Sequence, residues 1–159
     1  MGYALDIVKG MEAALGRNDA DMSPWFHDDF VWDGNRGCGV KHGITAFRAN
    51  WQLPLRKVLT DRTYETDHWM EDGDWAACYG KIIGTHSGTF MGIAPTGKRV
   101  TLPYIDFWQI RDGKIAYNKV SVDFAQMLHE LGQDPFGDQG WEAFDSGART
   151  PDWPEGQTP

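Results

Sequence analysis

Leu5, Val8, Met11, Ala14 and Leu15 recur near a 3.6-residue spacing, which predicts an amphipathic helix over residues 3–15 that Gly16 and Asn18 end. A helix with one apolar stripe must bury it, so it is expected to cover a sheet. Residues 21–27 read as a short second helix, with Ser23 placed to cap it and Pro24 acceptable at its first position. Phe30, Val31 and Trp32 follow as a short strand. The glycine-dense run from Gly34 to Gly39 fits neither GxGxxG nor a phosphate-loop GKS/GKT ending, and is read as a flexible loop. From Ile44 the residues Phe47, Trp51, Leu55 and Leu59 return every three or four positions and predict a third helix to about Val58. Pro54 cannot donate an intrahelical N–H bond, so this helix should bend or break near Gln52 and Leu53.

Beyond Asp61 the period shortens to two. Residues 61–71 and 75–89 are expected as strands joined by Asp72, Gly73 and Asp74, and a second pair is joined by the tight turn Arg111-Asp112-Gly113-Lys114. On the first strand of that second pair, alternation puts Leu102, Tyr104, Asp106 and Trp108 on one face and Thr101, Pro103, Ile105 and Phe107 on the other. Both faces are substantially apolar, so both are expected to be covered. On the next strand Tyr117, Lys119, Ser121 and Asp123 share a face opposite Ala116, Asn118, Val120 and Val122. Phe124, Met127, Leu128 and Leu131 then resume helical spacing, and Gly132 stops the helix. Helices precede most of the sheet rather than alternating with strands, which predicts an α+β fold and argues against a doubly wound parallel sheet. One domain over residues 1–136 is expected, followed by an irregular Gly/Pro/Asp-rich tail over 137–159. Its Trp141, Phe144 and Trp153 would each gain about 2 kcal/mol by docking on an apolar surface.

A length of 159 residues suits one domain with a real core, and eight Trp, eight Phe and five Tyr suit a hollow lined by rings. The formal charge of −8 excludes nucleic acid as a main partner, because phosphate binding is carried by Lys and Arg. No run of eighteen apolar residues and no secretory leader pattern is present, so a soluble, cytoplasmic protein is expected. Cys38 and Cys78 lack a CxxC spacing and read as reduced thiols. The five histidines form no HxH or HExxH pattern and no GxSxG elbow occurs, so neither a metal nor a nucleophilic triad is expected. What remains is acid/base chemistry by carboxylates and imidazoles on strands. Asp106, between Tyr104 and Trp108 on a buried face, needs a partner or a raised pKa, in a structural pair or in a pocket. Asp123, where strand becomes helix, is either an N-cap or a titratable group at the mouth of a cavity. His68 and His86 lie on neighbouring strands, facing solvent or a ligand.

The stretches GVKHGITAFRANWQLPL, THSGTFMGIAPTGKRVTLPYIDFW and DGKIAYNKVSVDFAQMLHELG together resemble the SnoaL-like polyketide cyclase family, within the NTF2-like fold, over roughly residues 19–136. The resemblance implies a cone: a curved mixed or antiparallel sheet wrapped by about three N-terminal helices around an apolar pocket. It implies cofactor-independent, metal-free intramolecular aldol ring closure of an apolar or aromatic carbonyl ligand, with Asp123 as acid/base. His68, His86 and Tyr104 would be donors to an enolate oxygen and Asp106 a further acid/base candidate. Trp32, Trp51, Tyr79, Tyr104, Trp108 and Lys119 are the candidate ligand contacts. The fold analogy also suggests a homodimer. Hydratases, dehydratases, isomerases and non-catalytic binders of hydrophobic ligands share the fold, and those readings stand beside the first. This chain departs from many relatives in having Tyr117 and Lys119 where they have Glu and Trp; a cation beside a carboxylate favours its charged form and weakens it as a base.

Overall fold

The computed structural model describes residues 2–159. The first helical period is α1 (Tyr3–Gly16), whose stripe Ala4, Val8, Met11 and Ala14 is buried. Its end is closed as the sequence predicts: Asn18 takes a left-handed φ of 61° and the Asp19 N–H reaches the Ala14 carbonyl at 3.0 Å. Residues 21–27 correct the sequence reading. They form no helix: the Ser23 N–H donates to Asp21 Oδ1 at 2.9 Å, a local turn follows, and β1 (Phe26–Asp33) begins early. The reason is tertiary. Phe26 pairs with Ile115 in the sheet and, with Phe30 and Trp32, is buried on the inner face, which a helical turn would not allow.

A three-residue strand, β2 (Val40–His42), pairs antiparallel with β1 after the glycine-dense loop. That loop is fastened by Asn35, whose amide bonds both the N–H and the carbonyl of Val122. The predicted third helix is present in three pieces: α2 (Gly43–Phe47), a π-turn (Arg48–Gln52) and α3 (Leu53–Val58). Where a bend or break was expected, Gln52 and Leu53 both keep helical φ and ψ, and the irregularity takes the form of the π-turn that ends at Gln52. Pro54 has no N–H to return to the preceding turn, and the helix widens immediately before it.

Then come β3 (Thr63–Asp72), β4 (Trp75–Thr85), β5 (Arg99–Arg111), β6 (Lys114–Val122) and α4 (Phe124–Glu130). The sheet runs β2-β1-β6-β5-β4-β3, antiparallel throughout except for the parallel pair β1 and β6, so the chain is a mixed α+β fold. Asp112 and Gly113 have φ of 47° and 78°, the conformation that a two-residue hairpin turn matched to strand twist requires. β4 stops at Thr85, short of the expected end, and residues 86–98 form a loop.

α1 packs against β3, β4, β5 and β6, and all the long helical segments cover the same side of the sheet. The expectation that both faces of β5 are covered is therefore corrected. Leu102, Tyr104 and Trp108 are buried inside, while Ile105 and Phe107 are 50% and 43% exposed outside. In the tail, Trp141 and Phe144 pair with each other at 5.5 Å around the one-turn α5 (Glu142–Asp145), with Arg149 over the Phe144 ring, and Trp141 is 77% exposed. No helix among the described residues is long and apolar enough to cross a membrane.

Gly80 marks where the sheet closes most tightly. A Cβ there would lie 2.3 Å from the Glu65 carbonyl oxygen and 2.9 Å from the Tyr104 hydroxyl, at the bulge between Thr66 and His68. Gly80→Ala is expected to lower stability by about 1–3 kcal/mol, measured as a reduced urea midpoint with an unchanged slope.

Candidate active site

Helix α1, the α2–π–α3 run and the inner face of the sheet enclose a cavity of about 370 Å³. Its wall follows from helix pitch. In a π-turn both Trp51 and Gln52 can face inward, below Phe47 and above Leu55 and Arg56. Trp51 lies against Trp32 of β1 with ring centroids 4.5 Å apart and planes tilted by 30°, and Phe47 flanks Trp32 at 6.1 Å. The opposite wall is the inner row of β5, Tyr104, Asp106 and Trp108, together with Asn118, Val120 and Val122 of β6. The Tyr104 hydroxyl is tied to Thr66 Oγ1 at 2.8 Å.

Asp106 is the ionisable group that the sheet carries into this apolar space. Asn118 donates to its Oδ1 at 3.0 Å and also to the Phe107 carbonyl at 3.2 Å, which orients the carboxyl and leaves Oδ2 without a protein partner. Burial pushes Asp106 up to about 7, against the pull of the Asn118 bond. Glu12 of α1 lines the same cavity. Burial, and then the Asp106 charge, push it to about 7 as well, with Lys9 pulling down. The cavity thus holds two carboxyls with raised proton affinity, and the Asp106 charge is one of the causes of the rise at Glu12.

Of the residues expected at the site, the fold brings together Trp32, Trp51, Tyr104, Trp108 and Asp106. It does not bring the others. Asp123 is exposed at the head of α4, where its carboxylate accepts the Gln126 N–H at 2.9 Å as an N-cap. His68 and Tyr79 lie on the outer face, their rings 6.2 Å apart. His86 is fully buried in the loop after β4, where its Nδ1 accepts the Thr96 N–H at 3.2 Å. Lys119 points outward to Asp33 Oδ2 at 3.1 Å, and Tyr117 donates to the same carboxylate. The cation that departs from the family pattern is thus paired with Asp33. Residues missing from the sequence reading are Glu12, Gln52, Arg56 and Arg62. Glu12 had a signal: it falls four positions after Val8, on the edge of the stripe that α1 buries.

No three of the described His, Cys, Asp or Glu side chains converge in a way that could hold a metal ion. The profile of the SnoaL-like polyketide cyclase family matches residues 5–131. The chain is 28% identical to the nogalonic acid methyl ester cyclase of Streptomyces nogalater, over 79% of this chain and 93% of that protein. It is 26% identical to the aklanonic acid methyl ester cyclase of Streptomyces peucetius, over 89% and 99% respectively. Its fold superposes on IdmH, a polyketide cyclase from Streptomyces antibioticus described as putative, with a TM-score of 0.71 and 25% identity, over 82% of this chain and 99% of that one. The curved mixed sheet with its covering helices is the NTF2-like architecture.

Two measurements follow. Both cavity carboxyls titrate higher in the folded chain than in the unfolded one, so the folded state binds more protons between roughly pH 4 and pH 7. Stability falls as pH rises through that window, and the urea midpoint is expected to be higher at about pH 5 than at about pH 8. Asp106→Asn should reduce that difference without abolishing it, since Glu12 keeps the part that its own burial causes. Separately, Asp123→Ala should cost about 1 kcal/mol through loss of the cap, while Asp123→Asn, an equally good cap, should leave the midpoint in place.

Proposed function

The chain belongs to the SnoaL-like polyketide cyclase family, and on that basis we propose that it closes a ring by intramolecular aldol addition in a polycyclic aromatic carbonyl compound, using only its own side chains, with Asp106 as the base. The observation that carries this reading is Asp106 itself: a carboxyl on the cavity wall, oriented by Asn118, with one oxygen free and an affinity for protons near neutrality.

The steps balance without an outside reagent. Asp106 removes a proton from the carbon beside a ligand carbonyl, and the electron pair moves into the C–C bond as the carbonyl oxygen becomes an enolate. Protonated Glu12 and the Tyr104 hydroxyl are the donors available to that oxygen. The enolate carbon then attacks a second carbonyl carbon of the same molecule. One C–C bond forms, the enolate carbonyl is restored, and the new alkoxide takes up the proton that Asp106 removed. Trp32 and Trp51, in contact with each other, present an aromatic wall against which the flat ring system can lie so that the two reacting carbons are oriented towards each other.

Nogalonic acid methyl ester, the compound named for a relative, is a first test substrate for the ring-closing step; the state of its carboxyl bears on affinity rather than on that step. Asp106→Asn is expected to lower its ring closure by about a hundred- to ten-thousand-fold, while Asp123→Asn keeps it. Turnover that survives Asp106→Asn and vanishes in Asp123→Asn would overturn this assignment.

The outer face supports a homodimer. Tyr79 and Ile105 are directly paired across β4 and β5, with Phe107 beside them, and all three are about half exposed. A contiguous apolar face of this kind marks an interaction surface. Light scattering should give a dimer for the native chain and a monomer for the Ile105→Glu/Phe107→Glu variant; a monomeric native chain would rule the dimer out.

A further inference from the structure

One end of the cavity is chemically unlike the rest. Gln52 and Arg56 lie four residues apart on the inward side of the α2–π–α3 run, and Arg62 approaches from the loop before β3. Gln52 is only 6% exposed, yet neither its amide nitrogen nor its amide oxygen has a protein partner. The Nε atoms of Arg56 and Arg62 are also buried and unpartnered. Arg56 donates through Nη2 to the Leu15 carbonyl at 3.3 Å, and nearby Arg48 is turned to the carbonyls of Asp19 and Ala20. None of these arginines has a carboxylate within ion-pair distance.

Arg62 is hydrogen-bonded to the Tyr64 side chain, and both guanidinium groups are only partly buried, but their Nε–H groups and the Gln52 amide have given up water with no hydrogen bond in return, which works against folding. Burial, and then the charges of Arg62 and Arg48, already hold the pKa of the Arg56 guanidinium below its ordinary value. Cavity carboxyls do not relieve it: Asp106 is bonded to Asn118, and Glu12 is coupled to Asp106 and Lys9. The missing partner is an anion that arrives with the ligand. A guanidinium presents Nε–H and one Nη–H as a side-on fork that matches the two oxygens of a carboxylate, and the Gln52 amide N–H is a third donor.

We propose that Gln52, Arg56 and Arg62 form a carboxylate-binding subsite, so that the natural ligand of this cavity is a flat aromatic carbonyl compound carrying a free carboxylic acid. The acid is anchored at the arginine end and its rings lie on Trp32 and Trp51. This rests on the reading of the cavity as the substrate site, and it narrows the substrate class within that reading. An ester or amide at the same position offers a neutral carbonyl acceptor and no charge, so it could satisfy one Nε–H but would leave the two guanidinium charges uncompensated.

The test compares anthraquinone-2-carboxylate with its methyl ester, at about pH 6, by quenching of tryptophan fluorescence. The acid is expected to bind at least about ten-fold more tightly than the ester to the native chain. Arg56→Met and Arg62→Met should each bring the ratio close to one without weakening the ester. Gln52→Leu removes the unpaired amide, so it should keep or raise the urea midpoint while still reducing the preference for the acid. An equal or tighter ester in the native chain, or an acid preference that persists in both arginine variants, overturns the subsite and leaves the cavity as the ligand site. If neither compound binds, the reading of the cavity falls and the subsite with it. Because the readout is a binding ratio, it is separate from the turnover of Asp106→Asn.

Discussion

Asp106 has been taken out of water by the same strand that supplies Tyr104 and Trp108, and much of the surrounding architecture bears on what that costs. Removing a carboxylate from solvent carries a penalty of several kcal/mol unless charge or hydrogen bonds compensate it. Here the compensation is a single amide, fixed in place because the register of β5 on β6 sets Asn118 opposite Trp108 and diagonal to Asp106. The remaining imbalance appears as a carboxyl that holds its proton to near neutrality. α1 adds to it by laying Glu12 over the same space. Packing, register and acidity are thus one arrangement seen at three scales.

Much of this was readable where local rules and tertiary demands agree. Strict alternation along β5 put Asp106 beside Tyr104 and Trp108 on the inner face, and the same rule put Asn118 with Val120 and Val122. Pro54 announced an irregular turn before Leu53, and Asp112-Gly113 announced the hairpin. Reading failed where a local signal admits two outcomes that only the folded environment separates. Asp123 fits both a helix cap and a site residue, and the path of the chain from β6 into α4 turns it towards solvent and the Gln126 N–H. Ser23-Pro24 is a sound helix start, but the burial of Phe26 in the sheet outweighs it. The apolar character of Ile105 and Phe107 could not distinguish a face covered within the chain from one left open, since periodicity says only which residues share a side. Glu12 was overlooked because a glutamate near the end of a helix ordinarily belongs to its solvated face.

The interior is also less settled than a core built for stability alone. Gln52, Arg56 and Arg62 place unpaired polar atoms among Trp51, Leu55 and Phe47. Sites that wait for a ligand commonly sacrifice stability in this way. The hydrophobic effect of the aromatic wall and the extensive antiparallel pairing of β3 to β6 supply the margin that tolerates it.

The π-turn at Arg48–Gln52 has a consequence for how such a chamber can change over time. Relative to an α-helix, a turn of this kind takes up one extra residue by widening, so that the turns on either side keep their phase. Trp51 and Gln52 both reach the chamber because the extra residue is taken up there. Loss of a single codon between Phe47 and Leu53 would close the turn to an α-helix and leave room for one of the two on the chamber wall, while every strand of the scaffold kept its place.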